Sequence, residues 1–396
     1  MRVIVNELQM LKQRTGIGHY TAELLRCLRP QVAPSDCIDG FPNGLVRRAV
    51  AAGFRAQRSA GGASAGRRSV KAAVLGTLRA SCQNLLDRRF SRLCRTGKYD
   101  LYHEPNYLPM PADCPTLATW HDLSVLLHPQ WHPADRVARF EKQLKDALGR
   151  CTHFLADTDS VRREVIDVLG VAPTRVTRVH MGIRPDLQPL PPDAVARGLR
   201  FLELPQRYLL CLGTIEPRKN VLRLMQAYCS LPDSVRQRWP LLLVGGWGWN
   251  ADEIRTYLQD VARHRGVRHL GYVADEYLPI LYNGARALVF PSFYEGFGLP
   301  PLEMLACGGA VVASTAAAVR EVVGGHAHLI APENTDGWRD ALLRVVKEDD
   351  WRRLLRQGAV EAARPFTWDR CAAETLAVYR QVATPAAAPL PKRAAG

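Results

Sequence analysis

The sequence predicts an α/β fold built from two doubly wound parallel sheets that face each other across a cleft. Three observations carry this prediction. Short apolar runs of strand length alternate with amphipathic runs of helix length. The alternation stops in a proline-rich stretch and then starts again. The length of 396 residues accommodates two domains of ~100–200 residues each.

In the first half, Val3–Val5 reads as a strand, followed by the loop Arg14-Thr15-Gly16-Ile17-Gly18 and a helix from His19 to Leu28. Further strands are read at Leu101-Tyr102, Thr116–Trp120, Thr152–Ala156 and Val176–His180. The stretch from Pro185 to Pro205, with Pro189, Pro191 and Pro192 inside it, marks a domain boundary. The pattern then resumes with strands at Tyr208–Leu212, Leu241–Val244, His269–Val273, Ala287–Phe290 and Ala310–Ala313. These runs are apolar on both faces, as strands of a sheet covered on both sides must be. Asn220 is placed to cap a helix over Val221–Tyr228. The domains expected are 1–190 and 191–366, with an amphipathic helix at 367–382 returning to the first and a Pro/Ala tail, 383–396, left disordered.

Composition excludes several classes. The apolar fraction of 47% with 23% charged residues is that of a globular protein rather than a disordered or fibrous one. No run reaches the ~18 apolar residues of a membrane-spanning helix, and Met1–Asn6 lacks the apolar core of an export leader. The ten cysteines are scattered with no two-residue spacing, so reduced, buried thiols in a cytoplasmic protein are expected rather than disulfides or a zinc site.

Open α/β sheets bind ligands at the carboxyl ends of their strands, and the polar motifs fall there. The most informative is Phe290-Pro-Ser-Phe-Tyr-Glu-Gly-Phe-Gly-Leu-Pro-Pro-Leu-Glu303. A strand ends, a Gly/Pro loop follows, and a helix begins near Pro301, where proline suits the first turn. The backbone N–H groups of Phe297, Gly298 and Leu299 would face an anion at that helix N-terminus. Glu295 and Glu303 bring two carboxylates to the same end, suited to accepting hydrogen bonds from sugar or ribose hydroxyls. The second motif, Gly213-Thr-Ile-Glu-Pro-Arg-Lys-Asn220, puts two adjacent cations in a strand-to-helix turn. Arg218 offers a planar fork and Lys219 a point charge, a pair suited to a diphosphate.

In this combination the sequence resembles the retaining glycosyltransferases of family 4, which have the GT-B fold of two Rossmann-like domains. The resemblance runs from the Gly16/Gly18 loop to the Trp368–Tyr379 helix, and its most specific part is the Glu295-x7-Glu303 block. The turn Glu216-Pro-Arg-Lys-Asn220 resembles the bacterial polysaccharide subgroup of mannosyl- and rhamnosyltransferases. The resemblance implies that Glu303 holds the ribose hydroxyls and that Glu295 faces the transferred sugar near the amides of Phe297, Gly298 and Leu299. Arg218 and Lys219 would neutralise the diphosphate leaving group. Gly245, Gly246 and the strand end Gly271-Tyr272-Val273 would line the base pocket. Gly16 and Gly18 would let the backbone approach the diphosphate or acceptor, and His121, after its strand, would contact the donor sugar. One departure stands out. Many relatives carry the arginine directly after the glycine and the lysine five residues later, whereas here Thr214 follows Gly213 and Arg218 sits beside Lys219.

The implied activity is transfer of a hexose, mannose from GDP-mannose in the first instance, with retention and without a metal or other cofactor. The alternatives are rhamnosyl transfer or a UDP-sugar donor. The acceptor implied is a polyprenyl-diphosphate-linked glycan or oligosaccharide in exopolysaccharide or lipopolysaccharide O-antigen synthesis, met at the inner membrane face. A sugar-nucleotide epimerase shares the same architecture but needs no acceptor. His103-Glu104-Pro105-Asn106 is read as turn chemistry or an acceptor contact. Asp157-Thr-Asp-Ser160 is read as a helix cap that borders the cleft, Trp247 and Trp249 as loop anchors or as surfaces for stacking a base or sugar, and His121, outside the resemblance, as a loop histidine bonded to Asp122.

The formal charge of +15 is uneven, with 18 Lys+Arg against 6 Asp+Glu in residues 1–100. Thirteen basic residues and a single acid, Asp87, lie between Arg47 and Lys98. This segment runs from a loop (Gly53 to Gly66) into a helix with Val70, Val74, Leu78, Leu85, Leu86, Phe90 and Leu93 near helical spacing. An Arg-rich solvated face and a surface for anionic lipid both fit it. A nucleic-acid-binding protein also fits the charge but leaves the Glu295/Glu303 block unexplained.

Overall fold

A computed structural model describes residues 1–11, 16–44, 46–48, 50–52 and 85–383. Arg14 and Thr15, the loop Gly53 to Gly66, the helix positions Val70, Val74 and Leu78, Cys82 and the tail 384–396 lie outside the described residues.

Two six-stranded sheets are present, and every recorded strand pairing is parallel. The first sheet contains β1 (Arg2–Asn6), β2 (Cys37–Phe41), β3 (Leu101–Glu104), β4 (Thr116–Trp120), β5 (His153–Ala156) and β6 (Val176–Arg178), in the order β2-β1-β3-β4-β5-β6. The second contains β7 (Leu209–Leu212), β8 (Leu241–Val244), β9 (Val267–Gly271), β10 (Leu288–Phe290), β11 (Val311–Ser314) and β12 (His328–Ile330), in the order β12-β11-β10-β7-β8-β9. β2 and β12, which the apolar pattern does not mark, are both sheet edges. An edge strand buries less, so Cys37-Ile-Asp-Gly-Phe41 carries an Asp and a Gly, and β12 spans three residues.

The helices used below are α1 (Gly16–Leu28), α2 (Asp159–Leu169), α3 (Pro192–Phe201), α4 (Val221–Cys229), α5 (Leu299–Ala306), α6 (Ala317–Val323) and α7 (Trp368–Ala383). The proline-rich stretch is more ordered than its composition suggests. Pro191 and Pro192 start α3, because proline fixes φ and needs no N–H partner in a first turn.

Successive strand residues serve different cores, as period-2 geometry requires. In the second sheet Leu210, Leu242, Leu288, Phe290 and Val311 face one apolar cluster, while Leu209, Leu241, Leu243, Val289 and Val312 face another. The first of these clusters also takes Val3, Val5 and Leu24 from the first sheet and its helix, together with Trp368, Leu376 and Tyr379 of α7. The C-terminal helix thus packs against α1 and β3. The Tyr379 hydroxyl lies 2.6 Å from His103 Nδ1, and Gln31 donates to the Asp369 carbonyl at 3.1 Å.

The nine described cysteines are free thiols, and seven are buried. Of the basic segment, residues 85–97 form a helix that buries Phe90 and Cys94 against Phe41 and Tyr102 while leaving Leu85 exposed. Arg47 pairs with the buried Glu7, which also holds Arg29 at 2.6 Å, so the first of the thirteen basic residues serves the fold. Among the described residues no helix is long and apolar enough to cross a membrane.

Candidate active site

The loop after β10 and the turn after β7 meet in a buried four-charge cluster. Glu295, 8% exposed, accepts from Lys219 Nζ at 2.6 Å through one oxygen and from Arg218 Nη1 at 2.8 Å through the other. Arg218 Nε reaches the buried Glu216 at 2.6 Å, and Nη1 also donates to the Tyr294 carbonyl at 3.1 Å. Burial alone would raise the Glu295 carboxyl, but Arg218 and Lys219 outweigh it and hold the group at about 2, so it is an anion at any working pH. Two cations and two carboxylates make the cluster formally neutral. Arg218 and Lys219 are therefore positioned by glutamates. A diphosphate arriving here would add negative charge and would have to share their donors.

Asn220 stands at the N-cap position of α4 but does not cap it. Its backbone is left-handed, with φ 56°, and its side chain makes no cap hydrogen bond. The amide instead donates to the carbonyls of Pro291 at 3.1 Å and Pro332 at 2.8 Å. The local cap expectation fails because these tertiary acceptors capture the side chain, and the turn after β7 is thereby pinned to the Glu295 loop.

Glu303, on α5, has different partners from Glu295. Its Oε2 accepts from the buried Tyr282 hydroxyl at 2.5 Å, and burial raises its carboxyl despite that bond and the nearby Arg184. Gly298, with φ +102°, precedes α5, and no side chain caps that helix. Phe297 and Gly298 are buried, and Leu299 opens the helix. Arg184 bonds Asp186 at 3.0 and 3.1 Å and the Asp275 carbonyl at 2.8 Å. His19 of α1 approaches Asp275 at 3.4 Å.

The strand ends that would form a base pocket are crowded. A Cβ on Gly245 would stand 2.0 Å from the Gly213 carbonyl oxygen, so only glycine lets β7 and β8 end side by side here. Gly245 N–H donates to the Gly271 carbonyl at 2.8 Å, and His269 Nε2 lies 2.8 Å from the Gly245 carbonyl. Gly246 has open space around it, Tyr272 is 55% exposed, and Val273 packs against the core. Gly16 begins α1 with nothing near its notional Cβ, whereas a Cβ on Gly18 would lie 2.9 Å from the Gln9 carbonyl.

His121 has both ring nitrogens occupied. Nδ1 lies 2.6 Å from Asp157 and Nε2 lies 2.8 Å from the Pro105 carbonyl oxygen. Two acceptors require two N–H donors, which is the imidazolium. Burial opposes that charge, but Asp157 raises the group above its ordinary value. The partner is Asp157 rather than the adjacent Asp122, whose oxygen accepts instead from Ser124 N–H and hydroxyl at 2.9 and 2.7 Å. Toward the second sheet, His121 presents its backbone carbonyl. A Cβ on Gly296 would overlap that oxygen at 1.6 Å.

The remaining cleft residues split between roles. His103 is wholly buried between Tyr379 and Thr119, and burial drops it to about 3. Glu104 is buried with Asn6 and Tyr102 donating to it, so the His103–Asn106 segment is turn chemistry. Thr158 accepts from Val161 N–H at 3.2 Å as the cap of α2, and its hydroxyl also donates to the Gly296 carbonyl at 3.0 Å. Glu321 of α6 accepts the amides of Asp159 and Ser160 and lies 3.0 Å from His180 Nε2. Trp249 Nε1 donates to the Trp131 carbonyl at 2.8 Å and Trp247 stacks edge-on with His269, both as loop anchors.

The sequence motifs thus bring Glu295, Arg218 and Lys219 together, leave Glu303 with Tyr282, and give the His121 ring internal partners. Glu216, Tyr282, Asp157 and Tyr294 escape sequence reasoning as site residues. Glu216 and Tyr294 lie inside the two motifs, beside the cations and Glu295, and that adjacency is the signal that could have found them.

Residues 14–187 match the family model described as Glycosyltransferase Family 4, and residues 200–364 match Glycosyl transferases group 1. The chain is 37% identical over 295 residues to the O-antigen chain mannosyltransferase B of Escherichia coli, covering 74% of this chain and 77% of that one. It is 30% identical over 316 residues to a D-inositol 3-phosphate glycosyltransferase of Streptosporangium roseum, covering 74% and 71%. Among solved structures, Anabaena HepE in complex with UDP and glucose superposes with a TM-score of 0.69 at 16% identity, over 96% of this chain and 100% of that one. WaaG, a glycosyltransferase involved in lipopolysaccharide biosynthesis, gives 0.68 at 14% identity, over 96% and 99%.

Proposed function

Because the chain belongs to the family 4 glycosyltransferases of the GT-B fold, and is a hexosyltransferase by that membership, we propose that it transfers mannose from GDP-mannose to a growing glycan in bacterial O-antigen or exopolysaccharide synthesis. The observation that carries this reading is the ionised Glu295 held between Arg218 and Lys219 in a chain 37% identical to an O-antigen mannosyltransferase.

A nucleotide sugar leaves as an anionic diphosphate, so catalysis consists chiefly in stabilising the charge that develops on it. Lys219 and Arg218 do this, with the amides at the start of α5 adding the positive end of a helix dipole. Glu303 holds the ribose hydroxyls. Glu295, saturated by two cations, is a poor nucleophile; it orients the sugar hydroxyls and the cations, and the acceptor attacks on the face from which the diphosphate departs, giving retention. The ring of His121 is fixed by Asp157 and Pro105, so its contribution to the donor sugar is a nearby positive charge and a backbone carbonyl. Gly16 and Gly18 approach the donor from the first sheet, and Gly245, Gly246, Tyr272 and Val273 bound the base. The acceptor is lipid-linked, and the basic residues between Arg47 and Lys98, Arg47 itself excepted, draw the enzyme to the anionic inner membrane face, where it works as a peripheral protein.

Calorimetric titration with GDP, UDP and dTDP tests the donor assignment. GDP is expected to bind at least about tenfold more tightly than the other two, a difference of ~1.4 kcal/mol. Preference for UDP would replace mannose with a UDP-linked hexose. Nucleotide-sugar consumption without any acceptor would point to an epimerase instead.

A further inference from the structure

Glu295 is flanked by two residues that are tied to the opposite sheet. Its predecessor Tyr294 reaches across the cleft, where its hydroxyl donates to Glu164 of α2 at 2.5 Å and accepts the Leu123 N–H at 2.9 Å. Leu123 lies just beyond β4 and His121, so one phenol joins the β4 end and α2 to the loop of the second sheet. On its own side, the Tyr294 carbonyl accepts from Arg218 Nη1 at 3.1 Å, and Phe293 N–H donates to the Arg218 carbonyl at 2.8 Å. The successor Gly296 gives its carbonyl to the Thr158 hydroxyl at 3.0 Å.

Energetics favour a specific role for the phenol over general packing. A 2.5 Å bond from a hydroxyl to a carboxylate is short and charge-assisted, about twice as strong as a neutral one. Burial raises the Glu164 carboxyl, and the Tyr294 bond opposes that rise. The carboxylate therefore depends on the hydroxyl, which belongs to the other sheet.

We propose that Tyr294 and Glu164 are a positioning pair that sets the Glu295 loop against the first sheet, so that sugar, diphosphate cations and acceptor are in register only when the phenol is seated on Glu164 and Leu123. The inference rests on the reading of Glu295 as the residue facing the transferred sugar. The pair touches neither substrate; it acts through Glu295 and Arg218. Misplacing a reacting group by ~1 Å costs on the order of a hundredfold in rate, whereas Glu303 and the strand ends of the second sheet, which the pair does not touch, keep most of the donor affinity.

The test compares wild type, Tyr294→Phe, Glu164→Ala, Glu164→Gln and the Tyr294→Phe/Glu164→Ala double variant. Transfer is measured from GDP-mannose to octyl α-mannoside, GDP affinity by calorimetry, and folding by thermal unfolding. Expected are kcat losses of roughly 10–100-fold in Tyr294→Phe and Glu164→Ala, and no further loss in the double variant. Glu164→Gln, whose amide oxygen still accepts the phenol proton, is expected to recover much of the rate. GDP affinity should stay within about twofold, since no donor-binding group is altered. Unchanged kcat in Tyr294→Phe, losses that multiply in the double variant, or a loss that falls on GDP affinity would each overturn the pair while leaving the enzyme's assignment intact. A folded wild type that transfers nothing would overturn the GDP-mannose reading, and an unchanged kcat in Glu295→Gln would overturn the reading of Glu295 and the positioning role with it.

Discussion

Glu295→Gln is expected to lower kcat by about 10²–10³-fold, the scale of removing a preorganised electrostatic partner, while GDP binds as tightly as to wild type or more tightly. The two directions follow from one change. In the native cluster Glu295 takes one donor from each of Lys219 and Arg218, so it orders both cations and also competes with a diphosphate for them. Glutamine keeps the shape but gives up the charge, leaving two cations against Glu216 alone. The cations are then more available to a bound diphosphate and less well placed for the transition state. Parallel weakening of GDP binding and kcat would contradict this division of labour.

The same substitution carries a stability signature. Glu295 is held at about 2 against an ordinary 4.5. A carboxyl lowered on folding contributes stability that is complete above its unfolded value and is lost as pH falls through its folded value. Wild type should therefore lose on the order of 3 kcal/mol between pH 4.5 and pH 2 from this group alone. Urea unfolding across that window should show a slope that Glu295→Gln lacks. The variant should also be less stable at neutral pH, because removing one member of a buried ion pair strands its partners, typically at a cost of ~3–5 kcal/mol. Coincident pH profiles of the two proteins would count against the pairing.

Glu303→Ala is the second large effect and falls on a different constant. A carboxylate that accepts ribose hydroxyls contributes ~1.5–3 kcal/mol through charged hydrogen bonds, so GDP affinity should fall by roughly 10–100-fold. At saturating donor, kcat should fall much less. Tyr282 loses its acceptor in this variant, and a buried hydroxyl without a partner costs about 1–3 kcal/mol of stability. Tyr282→Phe separates the two contributions, since it frees Glu303 without removing it and should leave GDP affinity within a few-fold. Full retention of donor affinity in Glu303→Ala would remove Glu303 from the donor site.

The α/β class, the parallel sheets and the central strands were legible because a strand buried on both faces must be apolar throughout, as β8 and β10 are. Edge strands β2 and β12 lack that constraint and carry no such mark. The contents of the site were legible where chemistry is local. Arg218 and Lys219 announce themselves as adjacent cations, and Glu295 as an acid in a Gly/Pro loop. What the motifs omit is tertiary. That Glu295 would neutralise those cations depends on β7 and β10 being sheet neighbours, a pairing between residues about eighty apart. For the same reason Asn220 was drawn away from its cap position by Pro291 and Pro332. His121 likewise found Asp157 across β4 and β5 rather than Asp122 beside it. Local propensity is outvoted wherever a buried polar group finds a stronger distant partner.

As proposed, the Glu295–Arg218–Lys219 cluster transfers a sugar from a GDP-linked donor only when an acceptor is present. The most direct measurement is release of GDP from GDP-mannose with and without octyl α-mannoside, with the anomeric configuration of the product read by proton NMR. GDP release is expected to depend on the acceptor and to yield an α-linked product, retaining the donor's configuration. GDP release indifferent to acceptor, or a β-linked product, would contradict it.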